Sequence, residues 1–140
     1  SYQYPKAWSG WALFEGLDNV SEKIPINPKE LYLFGVSAGA QFAMRFAQLY
    51  PDISKAVCAH AAGGDTMPEV FIPTKFFLTV GELDNKDIRR VDMAKSFVRG
   101  CKDKGIDIEL KIIPGIAHMH TEVQDEMSRE FFRKALHNIK

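Results

Sequence analysis

Apolar residues along this chain fall into two kinds of pattern, short continuous runs and stripes at three- and four-residue spacing. The first stripe, Leu13, Leu17, Val20 and Ile24, predicts a helix that starts at Ser9 as its N-cap and stops before Pro25 and Pro28. Residues 1–8 carry no such period and read as irregular. Leu31-Tyr32-Leu33-Phe34 is an unbroken apolar run ahead of Gly35, the pattern of a buried strand. A second helix is predicted over Ala38 to Leu49, with Pro51 behind it. The pattern then repeats. Lys55 to Ala59 reads as a strand, Gly63-Gly64-Asp65 as a turn, and Phe76 to Val80 as a strand closed by Gly81. Ile88, Val91, Ala94, Val98 and Cys101 share one face of a helix predicted over Lys86 to Lys104, which Gly105 terminates. Asp107 to Ile113 alternates in part and reads as a last strand before Pro114-Gly115. The closing helix carries Val123, Met127, Phe131, Ala135 and Ile139 at four-residue spacing.

Strands separated by helical stripes predict an α/β fold, a parallel sheet of about four strands flanked by helices, within a single domain over residues 1–140. Such sheets bind ligands beyond the carboxyl ends of their strands. Residues 35–39, 60–66, 81–87 and 114–120 are therefore where function is expected. Composition narrows the choice. With 46% hydrophobic and 26% charged residues the chain is ordinary globular material. Its 18 Lys+Arg balance its 18 Asp+Glu, so it has no electrostatic footprint for nucleic acid. No apolar run approaches the roughly 20 residues of a membrane helix, and no signal peptide opens the chain, so the expected location is cytoplasmic with no membrane partner. Cys58 and Cys101 stand far apart and form no CxxC pair, which points to neither a disulfide framework nor a zinc knuckle.

The chemistry is concentrated in Gly35-Val36-Ser37-Ala38-Gly39, a G-x-S-x-G element between a predicted strand and a predicted helix. As a bare pattern it arises by chance in about one chain in twenty to thirty of this length. The strand–turn–helix context is what makes it specific. A serine hydroxyl must project from a tight turn, so its backbone is strained and the residues two positions away are small. The amide of Ala38 then lies at a helix N-terminus, placed to donate to developing negative charge as part of an oxyanion hole. Beyond it Ala40, Ala43 and Ala47 form a small-residue face that allows close approach to the sheet.

A nucleophilic serine needs a base, and the base an orienting acid. Of the four histidines, His118 follows the last predicted strand in Gly115-Ile116-Ala117-His118 and is the best-placed base. His120 and His60 are alternatives at the same rim, and His137 reads as a surface residue of the last helix. For the acid, Asp84 in Gly81-Glu82-Leu83-Asp84 is preferred, with Asp87 and Glu82 as local alternatives and Asp65 as a more distant one. Ser37, Asp84 and His118 occur in the order Ser…Asp…His, each just past a different strand. His118-x-His120 lacks an evident third ligand, so no metal site is expected.

Leu-Tyr-Leu-Phe-Gly-Val-Ser-Ala-Gly-Ala at 31–40, Gly-Glu-Leu-Asp at 81–84 and Gly-Ile-Ala-His at 115–118 together resemble the C-terminal half of an α/β-hydrolase. The likeness is to the branch of small serine esterases and depolymerase-like hydrolases, and it covers nearly all of residues 9–140. It implies that the four strands are the fifth to eighth of that fold. It further implies acyl transfer from a small-molecule ester, with Ser37 as nucleophile, His118 as base, Asp84 as orienting acid and no cofactor. Dienelactone hydrolases resemble this group but carry cysteine where Ser37 stands. A serine peptidase or a polysaccharide deesterifier on the same scaffold, and a non-catalytic binding domain, are the competing readings.

The sequence departs from that family where the second oxyanion donor is concerned. In the family it comes from the loop after the third strand, which has no counterpart here. The same gap would leave Leu31–Phe34 as a bare apolar edge. Three explanations compete: a longer parent enzyme of which these residues are the later portion, a second copy covering the edge in a homodimer, or Ser1–Trp8 wrapping round. The first is the expectation. Trp8, Trp11, Met67, Phe71 and Met119 are candidates for an acyl pocket, although ordinary packing is the favoured reading. Arg89-Arg90 reads as a solvated helix face rather than an anion site, so the substrate-binding residues are left unassigned.

Overall fold

A computed structural model describes residues 1–64 and 67–139 of the chain. Asp65, the more distant candidate acid, lies outside the described residues, as does the side chain of Ile139. Four strands, β1 (Leu31–Val36), β2 (Ser54–His60), β3 (Lys75–Gly81) and β4 (Ile108–Ile113), form one parallel sheet in the order β1-β2-β3-β4. The helices are α1 (Gly10–Ser21), α2 (Ala38–Leu49), α3 (Arg90–Asp103) and α4 (Glu122–Ile139). The α/β architecture read from the hydrophobic pattern is thus the one observed.

The sheet is covered on both faces, which is why β2 and β3 are apolar with little alternation. Val57, Ala59, Phe76, Leu78 and Val80 point to one side and join Ala40, Ala43, Met44 and Ala47 of α2 with Ala94, Phe97 and Cys101 of α3. Alanine at 40, 43 and 47 lets α2 lie close to the strands, as its small-residue face suggests. Each large side chain buried here contributes about 1.5–3 kcal/mol by leaving water. On the opposite side α4 packs against β2 and β3, with Phe131 stacked on Phe77 and Phe132 edge-on to Tyr32. Cys58 and Cys101 are free and buried, and burial pushes both thiols up to about 12, out of the range of reactive thiolates.

Several boundaries differ from those the pattern predicts. Residues 1–8 are not wholly irregular: Pro5–Ser9 forms a π-helical turn that runs into α1. Ser9 consequently has helical backbone angles and makes no N-cap bond; its hydroxyl donates instead to the Tyr2 carbonyl at 2.6 Å. α1 stops at Ser21, short of Ile24, and both Val20 and Ile24 are exposed; the helix is attached through Phe14, whose ring meets Phe46 and Tyr50. The segment before α1 lies on α2, two turns past Ser37, where the Arg45 guanidinium stacks over the Tyr4 ring and donates to the Gln3 carbonyl. α3 begins at Arg90 rather than Lys86, so Ile88 lies outside it and Phe97 takes its place in the core.

The two edges of the sheet are unlike. β4 turns Glu109 and Lys111 outward, charges of the kind that discourage further strand pairing. β1 carries no charge, and Phe34 is 46% exposed. No described helix is long and apolar enough to cross a membrane.

Candidate active site

Ser37 closes β1 and precedes α2 with φ 55 and ψ −116, angles that a residue with a side chain rarely adopts. The turn is tight because the chain doubles back on itself. A Cβ on Gly35 would stand 2.3 Å from the Gly39 carbonyl oxygen, so only glycine fits at 35. The same test leaves open space at Gly39, so of the two motif glycines it is Gly35 that the turn requires. Ser37 is also anchored through its amide, which donates to the His60 carbonyl at 2.8 Å. Its hydroxyl does not cap α2. It projects instead toward His118, with Oγ 3.1 Å from Nε2.

His118 stands on the loop after β4, and three contacts hold that loop over the end of β3. The Leu83 amide donates to the Ile116 carbonyl at 2.9 Å, and the Glu82 amide to the Ile113 carbonyl at 2.9 Å. The Gly115 amide donates to Glu82 Oε2 at 2.9 Å. The loop passes so close that a Cβ on Gly81 would lie 2.2 Å from the Ile116 oxygen. Asp84 follows in the turn after β3 and is 5% exposed. Its Oδ2 accepts a hydrogen bond from His118 Nδ1 at 2.8 Å. With the ring neutral, Nδ1–H therefore faces the carboxylate and Nε2 is free to accept from the Ser37 hydroxyl. The turns after β1, β3 and β4 thus bring Ser37, Asp84 and His118 into one hydrogen-bonded relay. Ala38, the first residue of α2, directly follows Ser37.

The other candidates are accounted for differently. Asp87 is exposed, and Glu82 is engaged by the Gly115 amide. His137 is exposed, and His120 Nε2 pairs with Asp125 Oδ1 at 2.6 Å. His60 is fully buried beneath α4. Gln124 Nε2 donates to Thr79 Oγ1, whose hydroxyl meets His60 Nδ1 at 2.6 Å; on the other side Nε2 meets Ser128 Oγ, which donates to the Gln124 carbonyl. This closed set satisfies a neutral ring carrying its proton on Nε2. It also corrects the predicted stripe of α4: Val123 is exposed, and Gln124 and Ser128 are buried in its place because the sheet surface beneath them is polar.

Burial pushes the His60 pKa down to about 4, assisted by His120 and opposed by Asp125. An unfolded chain binds this proton near pH 6.5, so folding stability falls as pH drops from 6.5 toward 4. The gap corresponds to a loss of about 3 kcal/mol by pH 4. Urea midpoints measured across this range check it: a His60→Gln variant should show the shallower dependence, and equal slopes would contradict the assignment.

Arg89 and Arg90 are not one solvated face. Arg89 is exposed and pairs with Asp92, whereas Arg90, only 13% exposed, donates from Nη1 to Asp84 Oδ1 at 3.0 Å. Sequence reasoning missed this contact, since nothing in the spacing says which of two adjacent arginines turns inward. Trp8, Trp11, Met67, Phe71 and Met119 are all exposed, so none of them belongs to the core, although Met67 lies against α3 at Gly100. A groove of about 560 Å³ runs along the far half of α2 beside Arg45, Gln48 and Leu49, and Met67 is the one of these five that lines it. Among the described residues no group of three or more His, Cys, Asp or Glu side chains is arranged to hold a metal ion.

No protein-family model matches the chain, and comparison of its sequence with curated proteins finds no match. Solved structures do match. Esterase PE8 superposes with a TM-score of 0.70 at 24% identity, over 85% of this chain and 56% of that one. A Bacillus cereus carboxylesterase gives 0.70 at 17% identity, over 88% of this chain and 58% of its own. A candidate α/β hydrolase from Agrobacterium tumefaciens gives 0.66 at 23%, over 85% and 56%. The chain therefore spans less than two thirds of the length of these structures. Their common architecture agrees with the four parallel strands and flanking helices described above, and the chain has the α/β-hydrolase fold.

Proposed function

We propose that the protein is a serine hydrolase that cleaves carboxylic esters through an acyl-enzyme. The observation that carries this reading is the relay from Ser37 through His118 to Asp84, with bonds of 3.1 and 2.8 Å. Ser37 Oγ attacks the ester carbonyl carbon as its proton passes to His118 Nε2. Asp84 holds the ring in the required tautomer and stabilises its positive charge. The carbonyl oxygen, now negative, is met by the Ala38 amide at the start of α2, where the helix dipole adds to the attraction. Collapse of this intermediate breaks the ester C–O bond, and His118 returns the proton to the departing alcohol. Water then attacks the acyl-enzyme, giving its proton to His118, and the acid leaves as Ser37 regains a proton. Side chains of this chain handle every proton in the cycle, and the scheme calls on no cofactor.

Incubation with a fluorophosphonate probe tests the assignment. One covalent label per chain is expected, mapped to Ser37 by peptide mass and absent in Ser37→Ala. No labelling of the folded wild-type protein, or labelling retained in the variant, would overturn the reading. Hydrolysis of short p-nitrophenyl esters in preference to peptide amides and acetylated sugars is the expected selectivity.

A further inference from the structure

We propose that Arg90 is a positioning residue for this site, holding the Asp84 carboxylate in the rotation that serves His118; the inference rests on the hydrolase reading. The two carboxylate oxygens have separate duties. Oδ2 accepts from His118 Nδ1 at 2.8 Å, and Oδ1 accepts from Arg90 Nη1 at 3.0 Å. Asp84 is nearly inaccessible to water, so without Arg90 its Oδ1 would lose its charged partner in a desolvated place. Two bonds from opposite sides fix the plane of the carboxylate, and through it the imidazole.

The location of Arg90 argues that this contact has a reason beyond the helix. Arg90 is the first residue of α3, where a cation is disfavoured by the helix dipole. The neighbouring turn is organised around it. Asn85 Oδ1 accepts from the Val91 amide and so ties the turn carrying Asp84 to the first turn of α3. The side chain passes Gly63, where a Cβ would stand 3.3 Å from Arg90 Nε. Its neighbour Arg89 is engaged elsewhere, with Asp92. Arg90 and His118 are thus the two side chains that donate to the Asp84 carboxylate.

Arg90 does not touch Ser37, so its loss should act on turnover and on the protonation of His118, not on substrate binding. In Arg90→Gln the positive charge opposing an imidazolium disappears while Asp84 remains. The acid limb of kcat/KM is therefore expected to move up by about one pH unit. Turnover should fall about tenfold at the optimum with KM unchanged, because the carboxylate is held from one side only. Arg90→Lys keeps the charge but not the planar fork; its acid limb should match wild type while kcat stays a few-fold low. All rates are normalised to sites titrated with the fluorophosphonate, which removes misfolded protein from the count. Unchanged kcat and acid limb in Arg90→Gln would overturn the proposal. If that variant fails to fold, a wild-type kcat in Arg90→Lys would overturn it. Wild-type protein that does not label at all would instead refute the hydrolase reading itself.

Discussion

Asp84→Asn is expected to lower turnover by about 10⁴-fold while leaving Ser37 and His118 in place, as loss of the orienting acid does in serine hydrolases. The reason is the number of hydrogens each group can offer. Asp84 accepts from both sides, from His118 Nδ1 at 2.8 Å and from Arg90 Nη1 at 3.0 Å. An asparagine has one acceptor and one donor end. Arg90 has only protons to offer, so it takes the amide oxygen and turns the NH₂ toward His118. The ring must then accept at Nδ1 and carry its proton on Nε2, facing Ser37, where a base is needed. The same change leaves the Arg90 charge without its carboxylate, at a cost of about 3 kcal/mol in stability. Steady-state kinetics with a p-nitrophenyl ester, alongside urea denaturation, separates the two effects. A variant that kept more than a tenth of wild-type turnover would show that Asp84 does not orient the base.

Gly81→Ala is expected to damage both stability and turnover although it adds no polar or charged atom. The new methyl would fall 2.2 Å from the Ile116 oxygen and 2.5 Å from the Ala117 oxygen, both backbone atoms of the loop carrying His118. Neither can swing aside as a side chain would. The loop must lift, stretching its bonds from the amides of Glu82 and Leu83. Overpacking of this kind costs about 3 kcal/mol. For a chain of this size that lowers Tm by about 10 °C. A shift of the His118 loop by about 1 Å would further cost on the order of 10² in turnover. Gly16→Ala is the control: Gly16 lies inside α1 with nothing within 4 Å of the added methyl, so this variant should gain about 0.5–1 kcal/mol. Equal melting temperatures for the two variants would refute the close-approach account.

Both predictions involve residues that the sequence marked, for reasons it did not contain. Gly81 was legible as the end of a strand, and Asp84 as a candidate acid from its place after that strand. That Gly81 must be glycine is a matter of another loop 35 residues away crossing its Cα. Arg90 is the clearest omission. Its identity next to Arg89 suggested a solvated pair, and only the turn at 84–90 rotates one of the two inward. The stripe of α4 failed for a related reason. Val123 and Met127 follow the helical period as apolar residues should, yet the strand surface beneath them presents His60 and Thr79, and the helix turns Gln124 and Ser128 to meet them.

Local rules thus account for a definite share of this protein. Short apolar runs set β1 to β4, helical stripes set the covering helices, and the β/α alternation made the sheet parallel. Gly35-x-Ser37 marked the strained turn because a glycine two residues before the serine is a local steric need. These features depend on neighbours within a few residues, so one-dimensional information suffices for them. The rest depended on contacts across 34 to 81 positions of chain: the bonds from Ser37 to His118 and from His118 to Asp84, and the burial of His60. Which of several histidines reaches the serine, and which of two arginines reaches the acid, is decided by packing between separate turns of the sheet. Hydrophobic periodicity places a strand end to within a residue or two, whereas a hydrogen bond is made or lost within an ångström.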